Sequence, residues 1–130
     1  MSSRRVAPPS GMAAPAHARL HGERVALAPL AEAVADRYFA EFPEDLEAYG
    51  EAARLWEVYD TSHVLQWAFL DLERLCDFAR EIAWLTDVLK ARGFPLDHLF
   101  RNLEICADVL LEQLGERAAP VAERLRAAAR

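Results

Sequence analysis

Hydrophobic residues recur at three- and four-residue steps along most of this chain, which is the spacing of helices with one buried face. The run over residues 64–70 differs because it is apolar on nearly every side, so its helix must be surrounded by other helices. The amphipathic stretches over residues 71–92 and 95–114 offer faces that can surround it. The pattern therefore predicts an all-α bundle with Trp67 as a central packing residue.

Prolines and capping residues divide the first half of the pattern into helices. The first helix is predicted to start at Ala28 or Pro29 and to end at Phe42. Pro43 ends it and opens the second helix, since proline suits a first helical turn and pushes the preceding residue out of the α region. The sequence Asp-Thr-Ser at 60–62 then offers an N-cap for the apolar helix.

The second half is predicted to form a C-terminal antiparallel helical hairpin, which brings the bundle to five or six helices. Gly93 fits the left-handed position that ends a helix, and the following turn is short enough to fold the next helix straight back. Gly115 is the matching stop. A last helix over residues 118–128 has only Val121 and Leu125 as sizeable apolar groups, so we expect it to dock weakly or fray.

The length of the chain bounds its domain organisation. A chain of 130 residues with 53% hydrophobic residues fits one domain whose core needs no disulfide or metal. Residues 1–22 are rich in Pro, Ala and Arg and are predicted to be a flexible leader, because they cannot bury enough surface to offset the entropy of ordering. The helical bundle domain is then expected over residues 23–130.

Charge and cysteine usage argue against several classes of protein. A formal net charge of −6 disfavours nucleic acid as the partner, because phosphate binding needs clustered Lys and Arg. Cys76 and Cys106 have no CxxC spacing and no nearby histidine, which argues against a metal site and favours buried thiols. Because the sequence has no signal peptide pattern and no long apolar run, we expect a cytoplasmic protein that does not enter a membrane.

His63 and two tryptophans are the main candidates for chemistry. His63 either serves a cofactor pocket, as a ligand or pH sensor, or bonds to a cap group in the first turn of its helix. Trp56 and Trp67 either line a slot for a planar cofactor or belong to the core. His98 is predicted to be an exposed histidine in the first turn of the helix over residues 95–114. Because no catalytic motif is present in the sequence, we do not expect an enzyme.

Apolar residues beyond a single buried stripe predict an interaction surface on the two long C-terminal helices. These second-face residues are Trp84, Val88, Phe100 and Val109. A leftover apolar patch of more than a few hundred Å² usually marks an interaction site. We therefore expect a protein partner or, since twofold symmetry is the commonest closed arrangement, a homodimer.

Several short segments between residues 27 and 112 resemble the helical region found ahead of the cobalamin-binding module in some bacterial sensory and photoreceptor-type proteins. The segments are 39–44, 49–50, 59–60 with Leu65, 84–85, 91–95 and 102–104. In that family the bundle lies beside a Rossmann-like module whose Asp-x-His-x-x-Gly histidine ligates cobalt, a motif that this sequence lacks. A weaker likeness is to the cofactor-free globin-like sensor domains of bacterial stress regulators.

Together these features predict a sensory or regulatory helical domain that acts through helix–helix contacts without catalysis and without a cofactor. The alternative is a helical sensor that binds cobalamin or another tetrapyrrole against His63, Trp67 and Trp56.

Overall fold

The computed structural model describes residues 13–130, and over this range the chain is all-α apart from one short hairpin. Its elements are β1 (His17–Leu20), β2 (Glu23–Ala26), α1 (Leu27–Glu41), α2 (Pro43–Tyr49), α3 (Ala52–Leu72), α4 (Phe78–Ala91), α5 (Leu96–Leu114), a 3-10 turn (Gly115–Ala118) and α6 (Ala119–Ala128). The predicted fold class is therefore confirmed. None of the described helices combines the length and the apolarity that a membrane span requires.

The core forms where α1 packs against both α3 and α5. Leu65 and Phe69 of α3 are fully buried there together with Leu103 of α5. The pattern predicts Trp67 at the centre, but the structure places it partly buried at the edge of the core. At about 100° per residue, position 67 turns away from the buried stripe that Leu65 and Phe69 share.

The predicted flexible leader is wrong over residues 17–22, because β1 and β2 pair as an antiparallel hairpin. His21 and Gly22 form its two-residue turn with φ of 50° and 84°, the positive values that a tight hairpin with right-handed twist needs. Leu20 is completely buried, and the His21 ring contacts the carbonyl of Arg117 at 3.2 Å. The hairpin is thus part of the core, whereas residues 1–12 of the predicted leader lie outside the described range.

Two predicted helix boundaries in the middle of the chain are also wrong. Thr61 and Ser62 do not cap a new helix, because their hydroxyls bond back to Glu57 and to the Val58 carbonyl and α3 continues through them. The predicted helix over 71–92 instead begins at Phe78. Asp77 is its N-cap, and its side chain accepts the Arg80 N–H at 3.2 Å.

The last helix is docked firmly, against expectation. Val121 and Leu125 are completely buried, and α6 packs on α5 more extensively than α4 does. Helix α6 folds back along α5, and Arg126 forms an ion pair at 2.8 Å with Asp108, which lies in the middle of α5. The small side chain of Ala122 is buried beside Val121 and Leu125 and adds to this contact.

Candidate functional site

A cavity of about 490 Å³ opens among helices α1 to α5. Much of its wall is apolar or aromatic, and several polar side chains converge on it. The aromatic residues are Tyr38, Phe39, Tyr49, Trp56 and Phe94, and the polar ones include Asp45, Glu57, Asp60, Thr61, Arg92, His98 and Asn102. This combination of size and lining is typical of small-molecule sites, which usually measure about 300–1,000 Å³.

The first polar group of the cavity is built around the buried carboxylate of Asp45, which is 7% exposed. Its Oδ2 accepts the hydroxyl of Tyr38 and lies 2.9 Å from Nδ1 of His98. Burial raises the pKa of Tyr38, and the bond to Asp45 raises it further, so the phenol stays protonated and keeps donating. The three side chains tie α1, α2 and α5 together at one end of the cavity.

Local sequence explains why Asp45 and His98 are positioned to bond to each other. Pro43 opens α2 and leaves Asp45 in its first turn, where the helix dipole stabilises a carboxylate. His98 lies in the first turn of α5, and the ring of Phe42 stacks on it at 3.9 Å between centroids. The stacking holds the imidazole in place so that Nδ1 faces Asp45.

The second polar group is a hydrogen-bonded chain that links α5 to α3. The Asn102 amide nitrogen lies 3.3 Å from the Thr61 hydroxyl, which lies 3.0 Å from the carboxyl of Glu57. Asn102 is 7% exposed, and among the described residues nothing bonds to its Oδ1. A buried acceptor without a donor costs about 1–3 kcal/mol, so this arrangement is under-satisfied.

Two carboxyl groups of α3 are held partly in the protonated form. Burial raises the pKa of Glu57 to about 8, and the neighbouring Asp60 and Asp45 oppose its ionisation although the Thr61 bond favours it. Burial likewise raises the pKa of Asp60 to about 6, with Arg92 acting in the opposite direction. At neutral pH the cavity therefore holds a mostly neutral Glu57 beside a mostly ionised Asp60.

Glu44, Asp45 and His98 place three potential metal-ligand atoms within 4.8 Å of one another. The Asp45 and His98 atoms already bond to each other, and Glu44 is exposed, with its carboxylate 3.9 Å from the imidazole. This is the geometry of a hydrogen-bonded pair with a loose third neighbour, and it gives no independent sign of a metal ion.

The cofactor residues predicted from the sequence do not share one cavity. Trp56 lines the large cavity, whereas His63 and Trp67 line a smaller one of about 220 Å³. His63 lies in the middle of α3 rather than in a first turn, and within the described residues its buried Nε2 has no hydrogen-bond partner. Burial lowers its pKa, which favours a neutral imidazole among the rings of Tyr59 and Trp67.

The predicted interaction residues have different surroundings. Trp84 is 57% exposed, and Val88 and Phe100 are partly buried. Val109 is only 1% exposed, so the prediction that it lies on an interaction surface is wrong. Helices α1 and α6 cover the part of α5 that carries Val109, whereas Trp84 of α4 remains exposed, and the expected homodimer stays a prediction.

Sequence reasoning missed the residues that converge on the cavity. The acidic first turn after Pro43 and the first-turn histidine at position 98 were visible signals, but each is ordinary helix-start chemistry. Their convergence could not be read from spacing, since Asp45 and His98 are 53 positions apart. Glu57 is equally unremarkable in the sequence, because only the surrounding helices remove it from water.

The chain was compared with family models, curated proteins and solved structures, and none of the three comparisons gave a match. The resemblance to helical regions ahead of cobalamin-binding modules accordingly stays a prediction.

Proposed function

We propose that this domain is a sensory or regulatory module that binds a small molecule in the cavity among α1 to α5. The observation that carries the proposal is the cavity of about 490 Å³, with apolar and aromatic walls and a small set of convergent polar groups. The domain acts by binding and not by catalysis.

The short helix α2 is the element through which binding is transmitted. It has seven residues, is followed by Gly50 with φ of 70°, and contributes Asp45, Ala48 and Tyr49 to the cavity wall. Leu46 and Tyr49 expose 41% and 55% of their surface on the same helix. A ligand that shifts α2 therefore changes an apolar surface that a protein partner can contact.

The tetrapyrrole or corrinoid alternative has less support. It requires His63, Trp67 and Trp56 around one planar group, but these residues line two cavities, and the one beside His63 measures only about 220 Å³. Titration with haemin and hydroxocobalamin, followed by visible absorbance, tests it. A shifted absorption band that disappears in His63→Ala would favour this alternative.

The main proposal is tested by a thermal-shift screen of the full chain against amines, alcohols, carboxylic acids and tetrapyrroles. A ligand at a hundred times its Kd stabilises the folded state by about 2.7 kcal/mol, which moves the melting temperature by several degrees. Ala52 lines the cavity, so Ala52→Phe should abolish the shift, whereas Ala40→Phe, on the exposed side of α1, should retain it. No stabilising compound, or one indifferent to Ala52→Phe, contradicts the proposal.

A further inference from the structure

The charges on the cavity wall are unbalanced. Three carboxyl groups, those of Asp45, Glu57 and Asp60, line it, and within residues 13–130 Arg92 is the one Lys or Arg side chain that does so. Arg54, the other cation near Glu57, is engaged by Glu32 and Asp36 at 2.6 and 2.9 Å. The wall thus carries three carboxyl groups against one guanidinium and the His98 imidazole, which is already bonded to Asp45.

The hydrogen bonds of the cavity wall also favour a ligand that donates. Asn102 Oδ1 has no donor among the described residues, and the Thr61 hydroxyl is already flanked by Glu57 and the Asn102 amide. The carboxyl groups of Glu57 and Asp60 remain on the cavity wall as acceptors for a ligand that donates hydrogen bonds, whereas a ligand with only acceptors would meet few donors there.

Aromatic rings supply the rest of a recognition surface for cations. Tyr49 and Trp56 line the cavity near the carboxyl groups of α3, together with Phe39 and Phe94. The faces of such rings attract ammonium groups, and the gain is larger where water is excluded. The rings and the aliphatic wall also bury the apolar part of an amphipathic ligand.

We propose, building on the function proposed above, that the ligand is an organic cation, a primary or secondary amine with an apolar body. Its ammonium group donates to the carboxylates of Glu57 and Asp60, and its apolar body packs against Trp56 and the neighbouring rings.

Binding of such a cation is coupled to the release of protons. Glu57 is mostly protonated at pH 7 because burial raises its pKa to about 8, and an adjacent ammonium favours the carboxylate. The groups that interact with Glu57 are Asp60, Thr61 and Arg54 on α3, Asp45 on α2, Tyr38 on α1 and Cys106 on α5. Tyr38 and Cys106 stay protonated, since burial raises the pKa of each, so roughly one proton per amine should leave, mainly from Glu57.

The test is calorimetry on the full chain with phenethylamine and cyclohexylmethylamine, each beside its alcohol of the same shape, and with phenylacetate. Titrations at pH 7 in two buffers of different ionisation enthalpy count the protons. We expect the amines to bind about tenfold or more tightly than the alcohols, with affinity rising from pH 6 to pH 8. Glu57→Gln should remove the preference and the proton release, and Glu123→Gln, on the exposed side of α6, should change neither.

The possible failures are distinguishable. If alcohols or phenylacetate bind as tightly as the amines, the inference about the cation is overturned and the small-molecule site stands. The same holds if the screen yields only neutral or anionic ligands whose binding is abolished by Ala52→Phe. If amines bind without proton release and are indifferent to Glu57→Gln, the inference is also overturned. If nothing binds in the cavity, both proposals fail together.

Discussion

The substitution Glu57→Gln tests the electrostatics of the cavity without any ligand. Glutamine keeps the shape of the side chain and its ability to bond Thr61, but it cannot ionise. In the wild-type protein the carboxyl has a pKa of about 8 in the folded state, against an ordinary 4.5 in the unfolded chain. The folded state therefore binds more protons than the unfolded state between these two values.

The sign and size of the effect follow from linkage. Since the folded pKa is raised, the contribution of Glu57 to stability is fully present below pH 4.5 and is lost as the pH rises towards 8. Each pH unit in this window costs the wild type about 1.4 kcal/mol at most. Because the side chain is partly exposed, we expect about 3 kcal/mol of loss between pH 5 and pH 8 that Glu57→Gln does not share.

Urea denaturation of the two proteins at several pH values measures this difference. At pH 5 their free energies of unfolding should be similar, and at pH 8 the Gln variant should be the more stable by about 3 kcal/mol. Glu123→Gln, at an exposed position of α6, is the matched control and should follow the wild type at every pH. A difference that stays constant across this range would refute the reasoning, because Glu57 would then titrate alike in both states.

Other substitutions test the packing and the surface. Leu20→Ala should cost about 2–5 kcal/mol in urea denaturation, since the hairpin residue is fully buried, and a loss below about 1 kcal/mol would contradict that placement. Phe69→Ala should cost about 3–5 kcal/mol and clearly more than Trp67→Ala, and the reverse order would restore Trp67 to the centre. Tyr38→Phe should cost about 1–3 kcal/mol through the bond lost to buried Asp45, and no loss would make that bond incidental. If exposed Trp84 carries a self-association surface, light scattering at micromolar concentration should show a dimer that Trp84→Ser makes monomeric, and a wild-type monomer would exclude it.

Local chemistry in the sequence was sufficient for most helix ends. Pro43 begins α2, Gly93 and Gly115 adopt a positive φ of 77° after α4 and α5, and α5 spans Leu96–Leu114 nearly as predicted. These features depend on backbone sterics and capping within one turn of chain, so a single sequence carries them.

The predicted helix starts were wrong where a residue expected to cap a new helix bonds to a different partner. Thr61 and Ser62 bond back along α3, and Asp71, at the end of α3, accepts the Phe78 N–H at 2.7 Å and helps to end the loop before α4. The hairpin at residues 17–26 was missed because its strands are only four residues long, and Leu20 becomes a core residue only when the helices cover it.

The sequence by itself thus determined the all-α class and most of the places where helices start and stop. Tertiary structure alone decided which polar residues lose contact with water and meet. Asp45 and His98, and likewise Thr61 and Asn102, are joined across 53 and 41 positions by the packing of α2, α3 and α5. Helix propensity acts within a turn of chain, whereas the pKa of a carboxyl such as Glu57 depends on the atoms that surround it in space.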